Sequence, residues 1–173
     1  MPAPAADCAN DPARAVLSPA TSGRGRPNIN PATGLSTDYL NHFTEAVMVL
    51  DMVGAMLECL DELRAWQPKT YAEHFAASGF TNRDAIVGTY RAADPEVRQA
   101  LDRASEMLNA MVRQAREMVL QHAGTPELDA IARRATERLR PLLVRTAAVI
   151  NGTAADSGGG QGPQAAIDAM FGR

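Results

Sequence analysis

The amino-acid sequence predicts an all-α protein, a helical bundle built on one long antiparallel hairpin at residues 95–150. Two helix starts of the same kind support this prediction, because Asp94-Pro95 and Thr125-Pro126 each place a capping residue before a proline. Behind both starts, apolar residues recur at alternating spacings of three and four, which is typical of a bundle helix. Only a few residues separate the two segments, so the two helices must be antiparallel neighbours.

Each helix of the hairpin carries one apolar stripe. In the first helix, which we expect to end at Gly124, the stripe comprises Val97, Leu101, Ala104, Leu108, Met111, Ala115, Met118 and His122. In the second helix it comprises Leu128, Ile131, Ala135, Leu139, Leu142, Thr146 and Val149. Burial of both stripes would form the core of the bundle. Because the stripes contain few large residues, self-association into a homodimer is compatible with the pattern.

The sequence predicts one further long helix in the first half of the bundle. It begins at Ser36 or Thr37, which are both good N-caps, and ends by Gln67, because Pro68 disfavours helix in the residue before it. Its apolar stripe includes a glycine, at which we expect a neighbouring helix to approach closely. The stripe comprises Leu40, Phe43, Val47, Leu50, Gly54, Leu57 and Leu60.

Two short helices are predicted between this helix and the hairpin. Thr70 and Glu73 have the spacing of a capping box, which marks the start of the first short helix. Thr81 or Asn82 caps the second, which runs to about Ala92. This part of the chain holds many of the aromatic residues. We therefore expect it to cover one end or one side of the bundle.

Composition divides the chain into four parts. Residues 1–35 are rich in Ala, Pro, Ser and Gly and predict a mostly disordered tail, within which the turn-rich stretch 28–35 carries two apolar residues that can pack on the bundle. The bundle itself occupies residues 36–152. An Ala/Ser/Gly-rich run at 153–163 predicts a flexible linker. The remaining residues, 164–173, form a C-terminal interaction peptide.

Charge and motif content argue against several functional classes. The net charge is −3 without a clustered basic stripe, so we expect no nucleic-acid partner. Neither a signal peptide nor a bilayer-spanning apolar run is evident, which predicts a cytoplasmic protein without a membrane partner. Cys8 and Cys59 lie far apart and match neither a disulfide framework nor a metal site. The sequence contains no phosphate- or dinucleotide-binding fingerprint, so we expect no cofactor. It favours a non-enzymatic interaction protein.

The last residues carry the most specific functional signal. The run Gln-Ala-Ala-Ile-Asp-Ala-Met-Phe at 164–171 spaces its apolar side chains at i, i+3 and i+4, so one helical turn aligns them on one stripe. A peptide this short does not hold a helix alone in water, so we expect it to fold into a groove on a protein partner. The partner-binding residues would be Gln164, Ile167, Asp168, Met170 and Phe171.

This run resembles the response-regulator-binding peptides of flagellar motor-switch proteins and of the chemotaxis phosphatase family, CheZ. The CheZ family also places a long helical hairpin, a flexible linker and a terminal peptide in that order. Two positions depart from the usual peptides, because Ala166 replaces a carboxylate and Met170 replaces a leucine. The resemblance implies a regulatory protein of bacterial signalling or motility, with a response regulator as its partner.

The same resemblance implies an alternative function, a phosphatase acting on a phosphorylated response regulator. The CheZ family uses an acidic residue and a glutamine one turn apart on its long helix, where the glutamine orients the attacking water at the acyl phosphate. In this chain, Glu117 and Gln121 have that spacing. Glutamate stands here in place of the family's aspartate, and the pair lies near the tip of the predicted hairpin.

A second alternative is a histidine phosphotransfer protein, which is also a helical bundle and exposes one histidine on a helix. His42, with Glu45 three residues later, is the candidate, although the lysine and glycine that commonly follow such a histidine are missing. The stretch NPATGLSTDYLNHF at 30–43 is similar to that of a small, uncharacterised bacterial family of helical proteins. This similarity implies a bacterial origin and no mechanism.

Overall fold

The computed structural model describes residues 28–154, and this part of the chain is all-α, as predicted. Two 3-10 turns, Thr37–Leu40 and Leu57–Cys59, lead into the first and second helices. The helices are α1 (Asn41–Met52), α2 (Leu60–Ala65), α3 (Tyr71–Ala76), α4 (Arg83–Ala92), α5 (Pro95–Gln121) and α6 (Leu128–Ile150). No helix among the described residues is long and apolar enough to cross a membrane.

The predicted hairpin is confirmed as the antiparallel pair α5 and α6, which form the largest helix-helix contact of the described chain. Asp94 caps α5 by accepting two backbone hydrogen bonds from its first turn, and Pro95 is the first helical residue. Gly124, with a φ of 78°, lies in the connecting turn. The second helix begins at Leu128, two residues later than the predicted start at Pro126.

The buried stripe of α5 differs from the predicted one towards its C-terminal end. Val112 and Val119 are fully buried, whereas Met111 and His122 are half-buried and Met118 is 43% exposed. A strict alternation of three and four has a mean repeat of 3.5 residues. A straight α-helix has 3.6 residues per turn and drifts by about 20° per heptad from such a repeat. The stripe therefore moves from the predicted residues to their neighbours.

The same displacement occurs in α6. Ala132 and Thr136 are buried on either side of Ala135, which was predicted to be buried and is half-buried. At the end of the helix, Ile150 is fully buried in place of the predicted Val149. The predicted hairpin and its helix types are thus correct, while two positions in each stripe are shifted by one residue.

The single long helix predicted for residues 36–67 is wrong, because a turn at 53–56 divides it into α1 and α2. Gly54 lies in this turn, and a Cβ atom placed there would come within 2.5 Å of the Asp129 Oδ1 atom of α6. The predicted close approach at this glycine is confirmed. A side chain at residue 54 would require Asp129 of α6 to shift, and glycine also disfavours a continuous helix. Beyond the turn, Leu57 is 48% exposed instead of lying in the predicted stripe.

Residues 28–35 pack on the bundle, as predicted for this stretch within the N-terminal tail. Leu35 is fully buried. The Thr33 hydroxyl donates a hydrogen bond to the backbone carbonyl of Ile150, at the end of α6. This bond joins the two ends of the described chain, so the last turn of α6 has a fixed position on the bundle.

Two short helices, α3 and α4, cover one side of the bundle with aromatic contacts, as predicted. The capping box of Thr70 and Glu73 is present at the start of α3. Tyr71 stacks on Tyr90 of α4 with ring centroids 4.8 Å apart, and its hydroxyl accepts a hydrogen bond from the Ser36 backbone N–H. Burial raises the pKa of Tyr71 to about 12, so this phenol stays protonated at neutral pH.

Leu108→Asp is expected to unfold the bundle, because Leu108 is fully buried and the new carboxylate would have no partner in the apolar stripe. We expect a loss of more than about 4 kcal/mol in the free energy of unfolding, measured by urea titration with circular dichroism. Met118→Asp on the same helix is the control. Its loss should stay below about 1 kcal/mol, and equal losses would contradict the observed stripe.

Candidate functional site

The structure brings one of the predicted pairs together at the tip of the hairpin. Glu117 and Gln121 lie one turn apart on α5, and both are exposed. Residues four apart share a helix face, so both side chains can reach one partner surface. Among the described residues, neither side chain makes a hydrogen bond or an ion pair. The Gln121 amide is therefore available to orient a water molecule.

His42 is only 4% exposed, in contrast to the exposed position that a phosphotransfer histidine needs. Its ring stacks on Trp66 at 4.8 Å and 15°, and the Trp66 Nε1–H donates to the His42 backbone carbonyl over 3.1 Å. Phe43 and His74 lie at 5.1 and 6.0 Å from the same ring. The His42 Nε2 atom is buried and has no hydrogen-bond partner within the described part of the chain. These four rings are called the His42 cluster below.

The environment of the His42 cluster keeps its histidines neutral. Burial lowers the pKa of His42 to about 4, with nearby His74 and Lys69 as smaller causes and a backbone hydrogen bond with Gln67 acting against them. Burial is also the largest cause that lowers the pKa of His74. A buried Nε2 atom is out of reach of a partner's phosphoryl group. The geometry therefore argues against the phosphotransfer alternative.

The segment 66–70, which carries part of this cluster, is attached to the bundle by hydrogen bonds to its carbonyl groups. The Arg116 guanidinium of α5 donates to the Trp66 carbonyl over 2.8 Å. The Tyr39 hydroxyl donates to the Lys69 carbonyl, also over 2.8 Å. Burial raises the pKa of Tyr39 to about 12, so this donor stays protonated. The His42 cluster is thus a packed structural element that links α1, α3 and α5.

A groove between α3 and α4 was not predicted from the sequence. Its volume is about 490 Å³, within the range of ligand pockets. Three of the lining residues are small or apolar and three are charged: Ala72, Ala76, Val87, Arg83, Asp84 and Arg91. The sequence carried one signal for it, because Arg83, Val87 and Arg91 are spaced by four and share a face of α4. Within residues 28–154, neither arginine forms an ion pair.

The predicted partner-binding residues lie outside the described part of the chain: Gln164, Ile167, Asp168, Met170 and Phe171. The structure shows where the described chain ends, which is called the exit point below. Its last described residue is Ala154, and the backbone N–H of Thr153 donates to the Ala148 carbonyl over 2.9 Å. Gly152, with a φ of 70°, lies against the side chain of Thr33. The exit point is therefore beside the loop 28–35.

Within residues 28–154, no group of three or more His, Cys, Asp or Glu side chains is placed to hold a metal ion. Comparison of the chain with protein-family models, with curated proteins and with solved structures gives no match. Function is therefore inferred from three features: the exposed pair at the hairpin tip, the α3–α4 groove and the C-terminal residues.

Acidification is expected to destabilise the protein through His42. The pKa of His42 in the folded state lies below its unfolded value of 6.5, so the folded state prefers the neutral ring. The free energy of unfolding is therefore highest above pH 6.5 and decreases as the pH falls towards 4. For a pKa of about 4, the loss from pH 7 to pH 5 is about 2 kcal/mol.

His42→Phe keeps a ring stacked on Trp66 but removes the titrating group. We expect urea titrations at pH 7 and pH 5 to show most of this pH dependence lost in the variant. His122→Gln, a change at the end of α5, serves as the control and should retain the wild-type pH dependence. If the free energy of unfolding of His42→Phe decreased between pH 7 and pH 5 as much as that of the wild type, the assignment of this pH dependence to His42 would be contradicted.

Proposed function

We propose that this protein is a non-enzymatic regulatory protein that presents residues 164–171 as a helical ligand to a protein partner. The observation that carries the proposal is the apolar stripe of Ile167, Met170 and Phe171, placed behind a Gly-rich run at the end of a helical hairpin. A response regulator of a bacterial signalling or motility system is the partner we would test first, because the peptide resembles ligands of such regulators.

The described bundle supports this proposal by giving the peptide a fixed base. The Thr33–Ile150 hydrogen bond sets the end of α6, and nine residues, 155–163, separate the described chain from the peptide. A Gly-rich segment of nine residues has a root-mean-square span of about 16 Å. A partner that binds the peptide therefore stays close to the bundle, which raises the effective concentration for a second contact.

The expected affinity suits a reversible contact. Burial of an apolar side chain contributes roughly 1.5–3 kcal/mol, and the stripe has three such side chains. Ordering the peptide and losing its free rotation oppose this gain. A micromolar dissociation constant corresponds to about 8 kcal/mol, so the balance gives a contact weaker than micromolar for the stripe alone. Such binding is reversible on the timescale of regulation.

The proposal is tested by partner capture with the full chain. Phe171→Ala should reduce capture of the partner at least about tenfold, since it removes the largest apolar side chain of the stripe. Ala169→Ser is the matched control, because residue 169 lies on the opposite side of a helical peptide, and it should capture as much as the wild type. Undiminished capture by Phe171→Ala would reject the peptide as the anchor.

A second candidate function is favoured by the hairpin tip. Glu117 and Gln121 are exposed on one face of α5, as a phosphatase of the resembling family would require. In this alternative, Glu117 contacts the regulator while the Gln121 amide orients a water molecule at its acyl phosphate. Met118, which is exposed beside this face, would add an apolar contact. The terminal peptide would then deliver the regulator to this face.

The phosphatase alternative predicts a measurable effect of a single amide. Phosphate release from a phosphorylated response regulator should fall at least about a hundredfold in Gln121→Ala, the size of effect seen for removal of one catalytic hydrogen-bonding group. Gln114→Ala is the control, because Gln114 is an exposed glutamine two turns earlier on the same helix. Equal rates for wild type and Gln121→Ala would exclude this mechanism and leave the non-enzymatic proposal.

A further inference from the structure

The α3–α4 groove has the chemistry of a site for an acidic, apolar helical peptide. Ala72, Ala76 and Val87 are its apolar lining residues, and small alanine side chains allow a helix to approach closely. Arg83 and Arg91 stand one turn on either side of Val87. Asp84 is the remaining charged lining residue, so the lining carries one net positive charge.

The dimensions of the groove match those of residues 164–171. Arg83 and Arg91 are eight residues apart, which is about 12 Å along a helix. A helical peptide of eight residues has the same length of about 12 Å. Asp168 is the one charged residue of this peptide, and its charge is opposite to that of the groove. With the apolar stripe against the apolar lining residues, Asp168 would lie beside the stripe, within reach of a lining arginine.

The chain leaves the bundle close enough to reach this groove. Gly152 lies against Thr33, where a Cβ atom would be 3.2 Å from the Thr33 Cγ2 atom. The next residue of that loop, Gly34, lies equally close to the backbone carbonyl of Thr89 in α4. Two contacts, Gly152 with Thr33 and Gly34 with Thr89, therefore connect the exit point to α4. The diameter of a helix is about 10–12 Å. Nine residues extend to about 30 Å, which is enough to pass around the helix.

We propose that residues 164–171 occupy the α3–α4 groove of their own chain when no partner is bound, and that the partner competes with the groove for the same apolar stripe. This inference rests on the proposed function, since it describes how that peptide is regulated. The groove holds the peptide weakly, because few apolar side chains are buried there and the linker must be ordered. A partner with a deeper groove then displaces it.

Crosslinking in the full chain tests the proposal. In a Cys8→Ser background, Ala76→Cys at the exposed end of α3 is combined with Ala166→Cys beside the stripe of the peptide. Cys59 is buried, so a brief treatment with a short bismaleimide leaves it largely unmodified. The matched control combines Ala166→Cys with Gln114→Cys, an exposed position on α5. We expect the first pair to form an intramolecular crosslink more than about tenfold faster than the control pair.

Charge reversal gives a second readout that a structural defect would not reproduce. Arg83→Glu with Arg91→Glu should slow the crosslink about fivefold, since an exposed ion pair contributes about 1 kcal/mol. Asp168→Arg added to these two substitutions should restore the rate. Equal rates for the two cysteine pairs would overturn the proposal, as would a lack of rescue. Crosslinks formed only between chains would overturn it too, because the occupant would then be a second copy.

Partner capture separates this inference from the proposed function. If Phe171→Ala abolishes capture while the two cysteine pairs react equally fast, the groove is not the resting site and the proposed function stands. If the crosslink forms but Phe171→Ala leaves capture unchanged, the peptide is a packed element of the bundle and both proposals fail. If both hold, Arg83→Glu with Arg91→Glu should increase partner capture by freeing the peptide.

Discussion

The burial of one apolar stripe on each of two long helices is the constraint on which the rest of the structure depends. Helices α5 and α6 cover each other on one side only, and α1 packs along α6 to cover part of the remainder. At Gly54 the chain comes so close to Asp129 that a Cβ atom would require the Asp129 side chain to shift. The break between α1 and α2 lies at this contact, and α2 lies beside α5.

Packing on the aromatic side of the bundle determines which side chains are accessible to a partner. The His42 cluster is packed and neutral, and the segment 66–70 is bonded to α5 through Arg116. The histidine that would carry phosphotransfer is thus part of the core. Within the described residues, the exposed pair at the hairpin tip and the α3–α4 groove remain accessible at the surface.

Local rules predicted much of this fold, and contacts distant in sequence account for the differences. The caps at Asp94 and Thr70 depend on neighbouring residues, so the starts of α5 and α3 were predictable. The break at Gly54 depends on a residue of α6, seventy-five positions later. The burial of His42 depends on the distant Trp66. The groove depends on how α3 and α4 pack against each other. Sequence spacing alone indicated only that Arg83, Val87 and Arg91 share one face of α4.

The central claim is that the apolar stripe at 164–171 is a ligand, held by the α3–α4 groove until a partner takes it. The most direct test compares amide proton and nitrogen chemical shifts of the full chain with those of Phe171→Ala. The account predicts shift changes concentrated at Ala72, Ala76 and Val87, and smaller changes at these amides in a background of Arg83→Glu with Arg91→Glu. Shifts at these three amides that are the same in both proteins would contradict it.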